Sequence, residues 1–241
     1  MHVVSDQQVQ TRLAQEAKRG YRQRRQASIS NLFEDAPLQP TEIQLHISLD
    51  GIKPMIWRRL VVPIDWTLEQ LHLVIQAAFN WKNCHNYEFQ MGGLRFGDKA
   101  MLEEYSSPDS PQVFEHRDVR LRDLTGRGAN FTYVYDFGDD WRHTVKIEKY
   151  LSIDPSLKSA DCLAGARATP PEDVGGEPGY ENFLAIMADP KSPEHAFNKR
   201  WCGGAFDPEW FDIAVVKADL SKALKPNVKR ALHQPKVKVV P

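Results

Sequence analysis

The chain has 241 residues, 41% of them hydrophobic, enough for one substantial core with or without appendages, and its formal net charge is −1. It contains no apolar run of about 18 residues, which excludes a transmembrane helix, and no apolar stretch near its start of the kind a secretory signal requires. Three cysteines without a CxxC pair favour a reducing compartment, so we expect a cytoplasmic protein with no membrane contact.

Charge is distributed unevenly along the chain. Residues 1–39 carry six basic and four acidic side chains, residues 40–221 carry 19 and 28, and residues 222–241 carry six basic and no acidic ones. An acidic body repels a phosphate backbone, whereas basic ends attract one. The ends are therefore either solvated tails or weak nucleic-acid contacts, for which the candidate residues are Arg19, Arg22, Arg24, Arg25, Lys229 and Arg230.

The first predicted unit is a β-hairpin followed by a helix. Apolar and polar residues alternate over 43–49, which predicts a half-buried strand, and residues 56–62 form a second, antiparallel strand. Thr67 and Gln70 have the spacing of a capping box and open a helix that ends near Phe79. We expect the apolar face of this helix to pack on the hairpin.

Two further hairpins follow. Residues 87–91 and 94–96 pair around a Gly-Gly turn, and residues 129–135 and 141–151 pair with Phe131, Tyr133 and Tyr135 on one face. Between the two hairpins, residues 97–118 are polar and contain prolines, so they are predicted as a long loop before a short helical or turn segment at 119–124.

The last third of the chain is predicted as a loop and three helices. Residues 162–179 are dense in proline and glycine, which is typical of a functional or disordered loop. Helices follow at 180–188, at 193–197 and from Asp207-Pro208, an N-cap with proline at the first helical position, to about Ala223.

These elements predict an α+β fold in which antiparallel β-hairpins are covered by a few helices. We assign one main domain to residues 41–223. A basic N-terminal appendage at 1–40 and a basic C-terminal tail at 224–241 flank it.

Several motifs occur in an order that resembles one known family. They are Gly51–Arg59, Thr67–His72, Trp81 with His85, Tyr135–His143, Cys162–Arg167, Pro170–Asp173, Gly175–Tyr180 and Phe206–Phe211. Together they resemble the plasmid pRiA4b ORF-3-like family over roughly residues 41–221. The resemblance implies an α+β domain found on plasmids and mobile elements, similar to passenger proteins of insertion elements, with no established activity.

The chain departs from the family pattern at two positions. The family often has a His-x-His pair after the first helix, where this chain has His85-Asn86-Tyr87. Many relatives also have a cysteine in the Pro-Pro-Glu-Asp segment, where this chain has Thr169 before the first proline. Both departures remove possible metal ligands.

The segment from Asp136 to His143 concentrates three carboxylates and one imidazole around a glycine turn. Carboxylate oxygens suit hard divalent cations, and an imidazole suits zinc or manganese. The candidate metal ligands are His85, Asp136, Asp139 and His143. The catalytic candidates are His143, Asp136 and Asp139, with Glu172 or Asp173 as the base. The alternative is a structural network in which the turn aspartates bond their own backbone amides.

Cys162 could act as a nucleophile with His85 or His143, but the neighbouring Asp161 opposes thiolate formation, and a buried structural thiol fits better. The sequence has no dinucleotide-binding fingerprint, phosphate loop or nucleophile elbow. A divalent metal is therefore the one cofactor that these residues suggest.

Two functions agree with these observations. The first is a non-enzymatic binding protein of mobile-element origin, whose acidic domain recognises a protein or a small ligand in a cleft while the basic ends contact nucleic acid weakly. The second is a metal-dependent hydrolase or nuclease that uses the Asp136–His143 hairpin. In both cases we expect this hairpin to lie close to residues 170–180 and to His85, forming the main polar cleft.

Overall fold

A mixed β-sheet organises the fold in a computed structural model that describes residues 40–104, 106–124, 130–152, 159–226, 228 and 233. Within these residues the strands are β1 Glu42–Leu49, β2 Trp57–Pro63, β3 Tyr87–Met91, β4 Leu94–Gly97, β5 Val113–Glu115, β6 Asn130–Tyr135, β7 Trp141–Leu151 and β8 Asp161–Ala166. Their order across the sheet is β5-β4-β3-β6-β7-β1-β2-β8. Neighbouring strands are antiparallel, except that β4 and β5 run parallel.

Helices cover the sheet. In the described residues they are α1 Leu68–Ala78, α2 Lys99–Glu104, α3 Leu121–Leu124, α4 Gly176–Ala188, α5 His195–Trp201 and α6 Ile213–Leu220, with a short 3-10 turn at His116–Asp118. One hydrophobic core takes side chains from the sheet and from α1, α4 and α6. The predicted α+β class, with antiparallel hairpins covered by a few helices, is confirmed.

The predicted hairpin-plus-helix unit is present. The hydroxyl of Thr67 accepts a hydrogen bond from the backbone N–H of Gln70 at 3.2 Å, and the Gln70 side chain accepts one from the Thr67 N–H at 2.9 Å. Leu71 and Ile75 of α1 are fully buried in the same core as Ile47 of β1 and Leu60 of β2. The capping box therefore sets the first turn of α1 so that its apolar face meets the hairpin.

The β6–β7 hairpin also follows its predicted pattern. Phe131, Tyr133 and Tyr135 share the buried face of β6. In the antiparallel register Tyr133 lies opposite His143, and Tyr135 lies opposite Trp141. Residues two apart on a strand share a face, so Trp141 and His143 also point into the core.

The prediction that residues 97–118 and 162–179 form loops is wrong in part. Residues 97–118 contain α2 and the edge strand β5, which are too short to show a clear hydrophobic period. Residues 162–179 contain most of β8, which pairs with β2. Its Ala-Gly-Ala end has neither β-branched residues nor alternation, so the strand depends on its neighbour and gives no local signal.

Helix positions in the last third also differ from the prediction. Helix α4 begins at Gly176, four residues before the predicted start, and α5 spans His195–Trp201. Helix α6 begins at Ile213, where the Asp212 side chain accepts hydrogen bonds from two backbone amides, so Asp207-Pro208 is not its N-cap. Pro208 instead lies in a turn, and its carbonyl oxygen accepts a hydrogen bond from the Ala168 amide at 3.0 Å.

No helix among the described residues is long and apolar enough to cross a membrane. The six basic residues proposed as nucleic-acid contacts, at 19, 22, 24, 25, 229 and 230, lie outside the described residues. Their contact with nucleic acid stays a prediction.

Candidate functional site

The site is built first by the segment that joins α1 to β3. Trp81 anchors this segment in the core, and the backbone N–H of Asn83 donates a hydrogen bond to the Gln76 side chain of α1 at 2.8 Å. The Asn83 side chain in turn accepts a hydrogen bond from the ring of His72 at 2.7 Å. These contacts fix the backbone that carries Cys84 and His85, and the His85 ring is half-buried.

Asp136 uses its two carboxylate oxygens for different purposes. It sits at the start of the β6–β7 turn in the left-handed backbone region, with φ 57°. Its Oδ1 accepts hydrogen bonds from the amides of Gly138 at 3.0 Å and Asp139 at 3.3 Å, which closes the turn. Its Oδ2 lies 3.5 Å from Nε2 of His85. The turn therefore orients a carboxylate whose second oxygen faces the imidazole.

Glu172 and Asp173 reach the same imidazole from the Pro-Pro-Glu-Asp loop. Glu172 is only 5% exposed. Its Oε1 accepts hydrogen bonds from the Lys82 backbone amide and, at 3.2 Å, from the Tyr135 hydroxyl. Its Oε2 lies 3.8 Å from Nε2 of His85, and Oδ1 of the exposed Asp173 lies 3.1 Å from that same nitrogen.

We call His85, Asp136, Glu172 and Asp173 the acidic cluster. Nε2 of His85 and Oε2 of Glu172 are both buried, and neither makes a hydrogen bond within the described part of the chain. The ligand atoms of His85, Asp136 and Asp173 all lie within 4.8 Å of one another, as do those of Cys84, His85 and Glu172. Two buried polar atoms without hydrogen bonds therefore lie among these carboxylates, and His85 belongs to both groups of possible ligands.

Burial controls the electrostatics of the acidic cluster. It raises the pKa of Glu172, against the opposing effect of its hydrogen bonds from Lys82 and Tyr135. It also raises the pKa of the Cys84 thiol, and the nearby Glu172 carboxylate adds to that increase. The pKa of the Tyr135 phenol is raised for the same two reasons. In all three groups, burial disfavours the charged form.

The neighbouring Asp139 holds the loop in place. Its Oδ2 accepts a hydrogen bond from the Gly175 amide at 3.1 Å. Gly176 has φ +67°, and a Cβ atom at that position would lie 2.7 Å from the Asp139 carbonyl oxygen, closer than real Cβ atoms approach. Among the described residues, the converging groups of possible ligands do not include Asp139. The predicted approach of the hairpin to residues 170–180 is present, and Asp139 serves as its clamp.

His143, a candidate metal ligand and catalytic residue, lies in the hydrophobic core and not at the acidic cluster. Its ring is fully buried, and Trp81 Nε1 donates a hydrogen bond to its Nε2 at 3.5 Å. Its Nδ1 donates to the carbonyl oxygens of Trp141 at 3.1 Å and Tyr133 at 3.3 Å. Burial lowers the pKa of His143 to about 4, so the ring is neutral near pH 7. His143 is therefore a core residue outside the groups of described ligand atoms that converge on His85.

Cys162 likewise fits the structural alternative. It is a free, fully buried thiol on β8, and burial raises its pKa. Its Sγ contacts the Ala164 carbonyl oxygen at 3.5 Å. A buried thiol with a raised pKa has little of the thiolate form that nucleophilic chemistry requires.

Sequence comparison places these residues in a known family. The family model described as plasmid pRiA4b ORF-3-like protein matches residues 41–215. The chain belongs to this family. All four residues of the acidic cluster lie within the matched span.

Two relatives extend the comparison. The uncharacterized protein y4hQ of Sinorhizobium fredii is 38% identical over 183 residues, which cover 76% of this chain and 90% of the relative. The crystal structure of MM3350, a protein of unknown function from Methanosarcina mazei Go1, is similar with a TM-score of 0.63 and 33% identity, covering 72% of this chain and 95% of that one. The family and the fold are therefore shared with proteins of unknown function.

Sequence reasoning missed the contributions of Tyr135 and Cys84 to the site. The Tyr135 hydroxyl donates to Glu172 and accepts a hydrogen bond from the Cys84 amide at 3.1 Å, so it joins two of the segments that form the site. The predicted core face of β6 is correct for its ring. One feature of the sequence could have indicated this role. Tyr135 is the last strand residue before Asp136, and a phenol at that position can extend from the core to the site.

Proposed function

We propose that this domain is a metal-dependent binding protein, in which the acidic cluster holds a divalent cation and the cation helps to bind a protein or small ligand. The observation that carries the proposal is the convergence of three carboxylates on the buried Nε2 of His85, at 3.1, 3.5 and 3.8 Å. The family's plasmid description agrees with a mobile-element origin.

The spacing of the ligand atoms of His85, Asp136 and Asp173 agrees with ligands of one ion. Two ligand atoms bound to zinc at about 2.0–2.1 Å lie roughly 3.3 Å apart in a tetrahedral site. Nε2 of His85 lies 3.5 Å from Asp136 and 3.1 Å from Asp173, close to this value. Glu172 is farther away, at 3.8 Å, and groups with Cys84 and His85.

The composition of the cluster favours a transition metal. Carboxylates alone suit magnesium or calcium, whereas an imidazole shifts preference toward zinc and manganese. The Cys84 sulfur, which is within 4.8 Å of the His85 and Glu172 ligand atoms, adds a soft donor that favours zinc. A divalent charge would also offset the mutual repulsion of the carboxylates and lower the pKa of Glu172.

Metal content tests the proposal directly. The purified chain is made metal-free, dialysed against Zn²⁺ or Mn²⁺ and assayed for bound metal, together with His85→Gln, Asp136→Asn and the control His46→Gln. Asparagine keeps the oxygen that closes the turn, and His46 is a half-buried histidine of β1 whose ring stacks on Trp57. We expect about one ion per chain in the wild type and the control, and loss of the ion in the other two.

The contrary result is equally clear. A wild-type chain that retains no metal would overturn the proposal. Equal metal content in His85→Gln and the wild type would place the ion elsewhere.

A metal-dependent hydrolase is the second candidate, and the environment of Glu172 favours it. A buried carboxylate with a raised pKa beside a metal can accept the proton of a metal-activated water. Bis(p-nitrophenyl) phosphate and p-nitrophenyl acetate serve as probes for phosphodiester and ester hydrolysis. In this role Glu172 does not bind the ion, which His85, Asp136 and Asp173 hold, so we expect zinc- or manganese-dependent turnover that Glu172→Gln abolishes while the metal stays bound. Turnover that is unchanged in this variant would exclude Glu172 as the base.

A further inference from the structure

A pair of exposed aromatic side chains lies beside the acidic cluster. Phe197 is 62% exposed and Trp201 is 41% exposed. They are four residues apart on α5, so they project from the same side of that helix. Single exposed apolar residues are ordinary, but two large neighbouring aromatic rings in water indicate a binding surface.

Helix α5 is held at its ends and leaves a gap against α4. None of its own residues is buried. The His195 ring donates a hydrogen bond to the Ile186 carbonyl oxygen at 3.0 Å, and the Trp201 ring contacts Phe183 edge-to-face at 5.8 Å. Between these two contacts lies an open groove of about 590 Å³, a volume typical of ligand sites. We call it the aromatic groove, with Phe183, Ile186, Phe197 and Trp201 as its apolar walls.

The aromatic groove reaches the acidic cluster through one shared residue. Asp173 lines the groove, and its Oδ1 lies 3.1 Å from Nε2 of His85. A ligand in the groove therefore lies beside one member of the acidic cluster.

The charges of the groove select among ligand classes. Its ionisable lining residues, within the described part of the chain, are Asp173 and Glu194, both acidic. Acidic walls disfavour phosphates and hence nucleic acids. The exposed amide of Asn182 can both donate and accept hydrogen bonds, as a peptide backbone requires. Apolar walls, an amide and two carboxylates together match a polypeptide with large apolar side chains next to basic ones.

We propose that the aromatic groove binds a peptide segment that carries a large apolar side chain flanked by lysine or arginine. The apolar side chain lies between Phe197 and Trp201, and the basic side chain lies toward Asp173 and Glu194. This peptide proposal specifies the ligand class of the binding protein proposed above. It rests on that proposed function only at Asp173, which belongs to both the groove and the metal site.

Fluorescence anisotropy tests the groove on metal-free protein. The probe is a fluorescein-labelled heptapeptide with phenylalanine and leucine between lysines. Two comparison peptides carry glutamates in place of the lysines, or alanines in place of the apolar residues. The variants are Phe197→Ser and the control Leu163→Ser, which changes a side chain of β8 that is also exposed. Both variants replace exposed residues and should melt at the wild-type temperature.

We expect the lysine peptide to bind the wild type, and Phe197→Ser to weaken that binding by about tenfold or more, as removal of an aromatic anchor does. The control should bind like the wild type, and both comparison peptides should bind more weakly. Equal affinity in Phe197→Ser, equal affinity for the glutamate peptide, or no peptide binding at all would overturn the proposal. So would tight binding of a labelled oligothymidylate that depends on Phe197.

The two proposals fail separately. If His85→Gln loses the metal but Phe197→Ser leaves peptide binding unchanged, the metal site is supported and the peptide-binding groove is contradicted. If the chain takes up no metal but peptide binding depends on Phe197, the peptide-binding groove is supported and the metal site is contradicted.

Discussion

His85 and His143 show how two neighbouring environments give one side-chain type different roles. His143 is enclosed by Trp81, Tyr133 and Trp141, and its hydrogen-bond partners are a ring N–H and backbone carbonyls. His85 is half-buried and faces three carboxylates. The aromatic core keeps the imidazole of His143 neutral, whereas the acidic cluster surrounds that of His85 with carboxylate oxygens. The carboxylates around a histidine, more than its burial, mark the candidate site.

The largest expected effect lies in the core that supports both histidines. Leu71→Ala should lower the free energy of unfolding by about 2–5 kcal/mol, because it leaves a cavity between α1 and the sheet. Urea denaturation measures the loss. Leu163→Ala, at an exposed position, should cost far less. A small loss for Leu71→Ala would mean that α1 repacks and that the core does not fix the segment carrying His85.

The two regions should respond to pH in opposite directions. The folded pKa of His143 is about 4 against an ordinary value of 6.5, so between these values the unfolded chain binds more protons. Stability should therefore increase from pH 4 to pH 6.5, by on the order of 3 kcal/mol from this residue. The raised pKa of Glu172 acts oppositely, since the folded metal-free chain holds its proton longer and loses stability as pH rises above 4.5.

Difference measurements separate these contributions. The wild type minus His143→Gln should show the increase with pH, and the wild type minus Glu172→Gln should show the decrease. If stability increases with pH to the same extent in His143→Gln as in the wild type, His143 is not the neutral, buried imidazole described here.

Loosening the clamp should affect the acidic cluster without touching its ligands. Gly176→Ala should cost about 1–3 kcal/mol through its positive φ and its clash with the Asp139 carbonyl. Gly92→Ala is the matched control, because Gly92 has φ +55° with open space around the position of a Cβ atom. Thermal melting of both variants isolates the cost of the clash. Equal costs would show that the loop moves away easily, and metal affinity should then be unchanged as well.

The smallest change in stability is expected at His85. Without metal, His85→Gln should alter the free energy of unfolding by less than about 1 kcal/mol, because the ring is partly solvated. With zinc at about 100 times its dissociation constant, the wild type should gain about 2.7 kcal/mol that this variant lacks. Calorimetry with and without zinc measures both. A zinc-dependent gain that survives in His85→Gln would remove His85 from the proposed site.

Local signals predicted the elements that local chemistry determines. The capping box at Thr67, the alternation in β1 and the aromatic face of β6 all depend on nearby residues, and each is confirmed. Strand β8 was missed because its pairing with β2 depends on a partner about a hundred residues away. The predicted start of α6 at Asp207-Pro208 is wrong because Asp207 caps the preceding turn, where its carboxylate accepts a hydrogen bond from the Glu209 amide, while Asp212 caps the helix.

The same limit applies to the candidate site. Period two placed Trp141 and His143 on one face, but no local signal says whether that face meets the core or the solvent. Asp136 and Asp139 are equivalent as turn residues in the sequence. They differ because the Pro-Pro-Glu-Asp loop docks on one side of the turn, bringing Asp173 to His85 and the Gly175 amide to Asp139. The catalytic and metal-binding roles of these residues stay predictions.

The acidic cluster takes its members from three segments that are far apart along the chain, and this has a consequence for synthesis on the ribosome. His85 and Asp136 emerge well before Glu172 and Asp173, so a nascent chain that ends within β7 presents an incomplete set of charges. The full set exists only after the Pro-Pro-Glu-Asp loop has docked against the Asp139 turn. A cation captured there would therefore report completed folding, and release of the cation would be an early sign that the loop has opened.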